Sequence, residues 1–201
     1  GTLWIWNGEI ERGLKWYEEG LAIQPDNAEL HRNLGVISLL LGDYDRGWNE
    51  YRWRWRMPGV GRPAITDHVR AAGGHVPVWS GQPLNGKTVL IYPEQGLGDA
   101  IHFLRVAAAL AQDGARVMVV CPPKMIPLFS SAVGPSGLGI ERLIPDIDAQ
   151  SGLMSLPAGV EIDYQGSFLE VLDGLYQRDG KLYDGADLFQ QNESSHCAGY
   201  L

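Results

Sequence analysis

The stretch Thr88-Val-Leu-Ile-Tyr-Pro-Glu-Gln-Gly-Leu-Gly-Asp-Ala-Ile-His102 constrains the fold more than any other. A short run of β-formers, Thr88 to Tyr92, stops at a proline and a glycine-rich turn. A helical pattern then opens on Asp99. Strand, tight loop and helix N-terminus in that order are how α/β folds build ligand sites at the carboxyl ends of their strands. The strands that follow fit. The spacing predicts a second strand over residues 115–121, bounded by Gly114 and Pro122-Pro123, and a short helix over 124–132. A third strand over 138–144 closes at Pro145. Strands alternating with helices at these lengths predict parallel βαβ units. Beyond residue 151 the pattern fades: 167–176 reads as a helix, 178–181 as a turn and 190–201 as a frayed tail.

The front of the chain repeats itself. Gly1, Gly8, Gly13 and Tyr17 recur as Gly35, Gly42, Gly47 and Tyr51, and Leu14 is matched by Trp48. Each pair is one tetratricopeptide period apart. Gly13 and Gly47 fall where two helices of a repeat pack closely, Tyr17 and Tyr51 fill the next layer, and Gly42-Asp43-Tyr44 makes the inter-helix turn. Leu34, Gly35, Gly42, Tyr44, Gly47 and Tyr51 resemble the tetratricopeptide-repeat family, with His31 in place of its usual first-helix tryptophan. The register puts Gly1 in the middle of a first helix, so the expectation is a fragment that starts inside a repeat.

Two domains are expected, with residues 62–78 as a Pro- and Gly-rich linker. The net charge of −8 argues against nucleic acid as a partner. No apolar run approaches the length of a membrane span, so no transmembrane segment is expected and a cytoplasmic location is the working expectation. Two cysteines, Cys121 and Cys197, give neither a disulfide framework nor a metal set. Asp173, Asp179, Asp184 and Asp187 do not reproduce a calcium loop and read as a solvated surface.

Three readings of the loop Glu94-Gln95-Gly96-Leu97-Gly98-Asp99 were open to its residue types. As a dinucleotide fingerprint it lacks the third glycine, where Ile101 stands, and no acidic residue ends the second strand. As a Walker loop it lacks the Gly-Lys-Ser/Thr. As an acceptor site it is coherent. Asp99 can take a proton from a substrate hydroxyl, Gly96 and Gly98 let a bulky acceptor approach the backbone, and His102 can bind a hydroxyl or an anionic group. Asp99 can equally be an N-cap for the amides of residues 101 and 102, and the two roles are compatible.

A second constellation, Trp48 to Arg56, alternates arginine with tryptophan. On a helix Trp48, Tyr51, Arg52 and Trp55 share one face, which reads as a packing stripe of the last repeat helix, against the α/β part, rather than as a nucleic-acid or membrane surface.

Leu90 to Arg105, with Gly114-Ala-Arg-Val-Met-Val-Val-Cys-Pro-Pro123, resembles bacterial proteins that join tetratricopeptide repeats to a glycosyltransferase-like domain. More distantly, Gly98-Asp99-Ala-Ile-His102 is similar to the Gly-Asp-x-x-His loop of the heptosyltransferases. Residues 42–48, 51–56 and 152–157 add to the first likeness, which covers about residues 8–157. The resemblance implies the amino-terminal half of a GT-B fold, Rossmann-like and acceptor-binding. It implies Asp99 as general base, with Glu94, Gln95, Gly96, Gly98 and His102 as substrate-binding residues. It implies a nucleotide sugar as donor, held by a second half absent from this sequence, and no other cofactor or metal. The expected division is residues 1–61 for one partial and one complete repeat, 62–78 for the linker, 79–157 for the Rossmann-like acceptor side, and 158–201 without assignment. The expected function is sugar transfer to an acceptor hydroxyl by a longer parent, with this chain inactive alone and the repeats recruiting a protein or glycan acceptor. The alternative is a non-catalytic protein–protein interaction module with a degenerate α/β part.

Overall fold

The structure, a computed structural model, describes residues 4–5, 7–60, 76–94, 96–145 and 161–180. The chain divides into two compact units, Gly1–Arg62 and Pro63–Leu201. Most of the expected linker, the Gly152–Pro157 stretch and the expected tail lie outside the described residues.

The first unit is helical: α1 (Ile10–Ile23), α2 (Ala28–Leu40) and α3 (Tyr44–Tyr51), the last running into a 3-10 turn, Arg52–Arg56. Asn27 caps α2 by accepting from the amides of Glu29 and Leu30, and Asp43 caps α3 by accepting from that of Arg46. The period seen in the residue types reappears in the hydrogen bonds. The amides of Gly8 and Glu9 donate to the carbonyls of Ile5 and Trp4, and those of Gly42 and Asp43 to Leu39 and Ser38. Gly13 donates to Glu9 as Gly47 does to Asp43. Gly8 and Gly42 share a positive φ, 80° and 82°, which a side chain resists. Tyr17 and Tyr51 are both buried. A Cβ at Gly35 would lie 2.5 Å from the amide nitrogen of Tyr51, so only glycine lets α2 meet α3 this closely. His31 is a partly buried aromatic residue of α2. It stacks on Trp53 with ring centroids 3.8 Å apart, and its nitrogens contact Glu50 and the Pro25 carbonyl.

One expectation for this unit is corrected. The α-helical register ends at Tyr51, and the tighter turn that follows rotates the next residues. Arg54 is therefore buried instead of Arg52, with its guanidinium over the rings of Tyr51 and Trp55. Trp48 is buried, whereas Trp55 is only half-buried.

The second unit holds a four-stranded parallel sheet in the order β3-β2-β1-β4. The strands are β1 (Thr88–Tyr92), β2 (Arg116–Cys121), β3 (Ile140–Pro145) and β4 (Tyr164–Ser167). Every residue of β1 is buried, as expected of an inner parallel strand covered on both faces. Helices α4 (Leu97–Phe103) and α5 (Val106–Gln112) connect β1 to β2. They are separated where the amides of Ala107 and Ala108 reach back only three residues, to Leu104 and Arg105. The short α6 (Ile126–Phe129), between 3-10 turns, lies between β2 and β3, and α7 (Phe168–Asp179) follows β4. Strand β4 was not foreseen. Its residues, Tyr-Gln-Gly-Ser, are short and polar, and pairing with β1 makes them a strand. With α7 it extends the α/β region past residue 157. Val78 bridges to Gln165 on the outer side of β4, and Trp79, fully buried, lies against Gly174 of α7, where a Cβ would approach its ring to 2.9 Å.

Candidate functional site

Strands β2 and β3 lie on one side of β1, and β4 lies on the other. The strand order therefore reverses between β1 and β4, and in open parallel sheets the crevice at the carboxyl end of such a pair is where ligands bind. The register places Tyr92 beside Ser167, so the two strands end level and their βα turns leave side by side. A small recess opens there, lined by Pro93 and Glu94 after β1, by Asp99, Ala100 and Phe103 of α4, and by Phe168 and Leu169 of α7. Its enclosed part has room for about one water, so it admits one end of a ligand rather than a whole sugar ring.

The two turns are built alike. Gly96 is the N-cap of α4, and Asp99, three residues on, reaches back to accept from the Gly96 amide at 3.2 Å. Ser167 is the N-cap of α7, and Glu170, three residues on, accepts from the Ser167 amide at 3.0 Å while the Ser167 hydroxyl accepts from the Glu170 amide. The surroundings differ. Glu170 is buried and also accepts from the Tyr92 hydroxyl at 3.2 Å, which ties the end of β1 to the start of α7. Asp99 is half-buried, and among the described residues it makes no ion pair and no hydrogen bond beyond that to the Gly96 amide. A carboxylate is a hydrogen-bond acceptor, and Asp99 brings one to the lining of the recess.

The expectation that Asp99 starts the helix is thus corrected. The helix opens at Leu97, and Asp99 serves the N-terminus from its third position instead of capping residues 101 and 102. Glu94 and Asp99 come together in the recess. Gly96 and Gly98 are exposed in the turn, and a Cβ at Gly98 would meet nothing within 4 Å. His102 is exposed and does not line the recess; its ring stands edge-on to Phe103 at 4.9 Å between centroids. Gln95 lies outside the described residues. The apolar wall from α7, the Tyr92–Glu170 tie and Phe103 were missed in the sequence. The signal for two of them was present, because Ser167-x-x-Glu170 before an apolar run is a capping box.

Cys121 ends β2 fully buried, and desolvation pushes its thiol up to about 11, so it is inert at neutral pH. Among the described residues no group of three or more His, Cys, Asp or Glu side chains is placed to hold a metal, and no helix is long and apolar enough to cross a membrane.

Among curated proteins the chain is similar to Protein FlbA of Caulobacter vibrioides, 34% identical over 129 residues, which cover 61% of this chain and 20% of FlbA. The chain thus spans about a fifth of the length of the curated relative it matches. No family model and no solved structure matches it.

Proposed function

We propose that this chain is the acceptor-binding part of a glycosyltransferase-like protein. Tetratricopeptide repeats precede the amino-terminal half of a GT-B fold, and Asp99 is the general base that takes the proton of the acceptor hydroxyl. The observation that carries the reading is Asp99 itself. One of its oxygens is held by the Gly96 amide, and the residue lines the recess at the crevice where the strand order reverses. A base so fixed is aimed before the substrate arrives, and positioning supplies much of the rate in group transfer. The repeated hydrogen-bond pattern supports the tetratricopeptide assignment. In the second unit the described residues form a single sheet, and sugar transfer needs a donor held opposite the acceptor. On this reading the nucleotide sugar binds outside the described residues, opposite the acceptor side.

The test is nucleoside diphosphate or monophosphate release from nucleotide sugars by a parent that includes the donor half, with and without Asp99→Asn. Asparagine still accepts from the Gly96 amide but no longer takes a proton. The expected loss in kcat is roughly 10²–10⁴-fold, the range of general-base catalysis. Unchanged turnover would reduce Asp99 to a helix-terminal residue and favour a non-catalytic interaction module. Turnover by the 201-residue chain alone would show that the donor site has been misplaced.

A further inference from the structure

His31 joins the helices of the first unit through both of its ring nitrogens. It stands in α2, and its Nε2 lies 2.7 Å from the carbonyl oxygen of Pro25, in the turn between α1 and α2. Its Nδ1 meets the carboxylate of Glu50, near the end of α3. Its ring lies flat on Trp53 of the 3-10 turn, with 3.8 Å between centroids and 12° between planes. Both polar partners are acceptors, because a carbonyl and a carboxylate have no hydrogen to give. A neutral imidazole has one N–H and one bare nitrogen, so it serves one partner and sets a lone pair against the other. Only the imidazolium donates to both.

We infer that His31 is a proton-operated latch in the helical unit. With the proton bound it ties the α1–α2 turn to the end of α3, and without the proton one of the two ties is lost. The surroundings suit a cation. The His31 and Glu50 side chains are 13% and 22% exposed, so water and salt screen the pair less than one on the open surface. The face of Trp53 attracts positive charge, although the Arg56 guanidinium, 4.1 Å from the centroid of the same ring, opposes a second cation there. The other charged groups nearby are turned away. Arg32 donates to Asn33, Arg54 lies over Tyr51 and Trp55, and Asp26 and Glu29 are exposed. Folding takes up the proton that the latch needs. Its stabilisation is therefore present below the ordinary histidine value of about 6.5 and is lost as pH rises above it.

The experiment is denaturant unfolding of the 201-residue chain at about pH 5.5 and about pH 8, on either side of the histidine range. Six of the seven tryptophans precede residue 56, so indole fluorescence reports the helical unit. Between the two conditions the folding constant should fall roughly tenfold further in the unmodified chain than in His31→Phe, which keeps a ring on Trp53 and removes both nitrogens. The remaining histidines are common to both chains and cancel in the comparison. Glu50→Gln is the second variant. Its amide accepts from a charged ring and donates to a neutral one, while the other ring nitrogen stays bonded to Pro25. This variant should fold and lose the excess pH dependence, and it carries the test alone if His31→Phe does not fold. Imidazole nitrogen resonances of the unmodified chain at the lower pH should show both His31 nitrogens protonated. Equal pH dependence in the unmodified chain and His31→Phe, an excess that persists in Glu50→Gln, or a bare His31 nitrogen at the lower pH would each overturn the inference.

Discussion

The helical unit and the α/β unit store their information differently. In the first, one pattern is written twice along the chain, and each copy is read locally: a glycine with positive φ at the turn, a buried glycine in the helix that follows, a buried tyrosine. In the second, the site is assembled from strands whose residues are far apart in sequence. Tyr92 meets Glu170, and Lys87 and Thr88 meet Asp163. Repetition builds a scaffold that tolerates little change at its contacts. Non-local pairing builds the crevice at the carboxyl ends of β1 and β4.

Packing variants test the scaffold half of this contrast most severely. Trp48→Ala removes a buried indole from the helical unit and should cost about 3–5 kcal/mol, whereas half-buried Trp55→Ala should cost clearly less. Equal effects, measured by chemical denaturation, would mean that the stripe continues unbroken past Tyr51. Gly35→Ala should cost ~1–3 kcal/mol, because the new methyl runs into the backbone of α3. Gly98→Ala, in the exposed first turn of α4 where a Cβ meets nothing, should stabilise by about 0.5–1 kcal/mol. If both glycine variants behaved alike, the two units would not differ in the way described.

Within the α/β unit, Tyr92→Phe breaks the tie between β1 and α7 and should cost roughly 1 kcal/mol, the usual net worth of a hydrogen bond. The smallest effect is expected at the other end of the sheet. The Lys87 ammonium, and then the Thr88 amide, hold the Asp163 carboxyl below the ordinary aspartate range, and Asp163 in turn raises Lys87. The depressed carboxyl contributes stability above its ordinary value and loses it as pH falls further. The raised ammonium contributes below its ordinary value and loses it as pH rises past that value. Asp163→Asn should therefore flatten both limbs of the stability–pH curve by lowering the neutral plateau slightly, with little change at the acid and alkaline extremes. A steeper acid limb in the variant would contradict this.

How much was legible follows from the same contrast. The 34-residue period, β1 to β3 and the turn before α4 could be read from residue types, because each is encoded within a few neighbours. Strand β4 could not: Tyr-Gln-Gly-Ser carries no alternating or continuous apolar pattern, and its extended form depends on β1 beside it. Without β4 the reversal of strand order is invisible, and so is the reason why Asp99 faces a recess. The start of α4 was misplaced because aspartate serves equally as an N-cap and as a third-position carboxylate, and only the backbone of Gly96 decides between them. Arg52 and Arg54 were exchanged because a 3-10 turn changes the rotation per residue without changing the composition.

The central claim is that two carboxylates in the same helical position serve different ends, Glu170 the fold and Asp99 the chemistry. The direct measurement is kcat and melting temperature, together, for Asp99→Asn and Glu170→Ala in a parent that contains the donor half. The account predicts that Asp99→Asn melts like the parent and loses roughly 10²–10⁴-fold in kcat. It predicts that Glu170→Ala, which removes an acceptor from the Tyr92 hydroxyl and from the Ser167 amide, loses about 1–3 kcal/mol of stability while keeping most of its turnover at temperatures where it is folded. The opposite pattern, with Asp99→Asn unstable but active and Glu170→Ala stable but inactive, would contradict it.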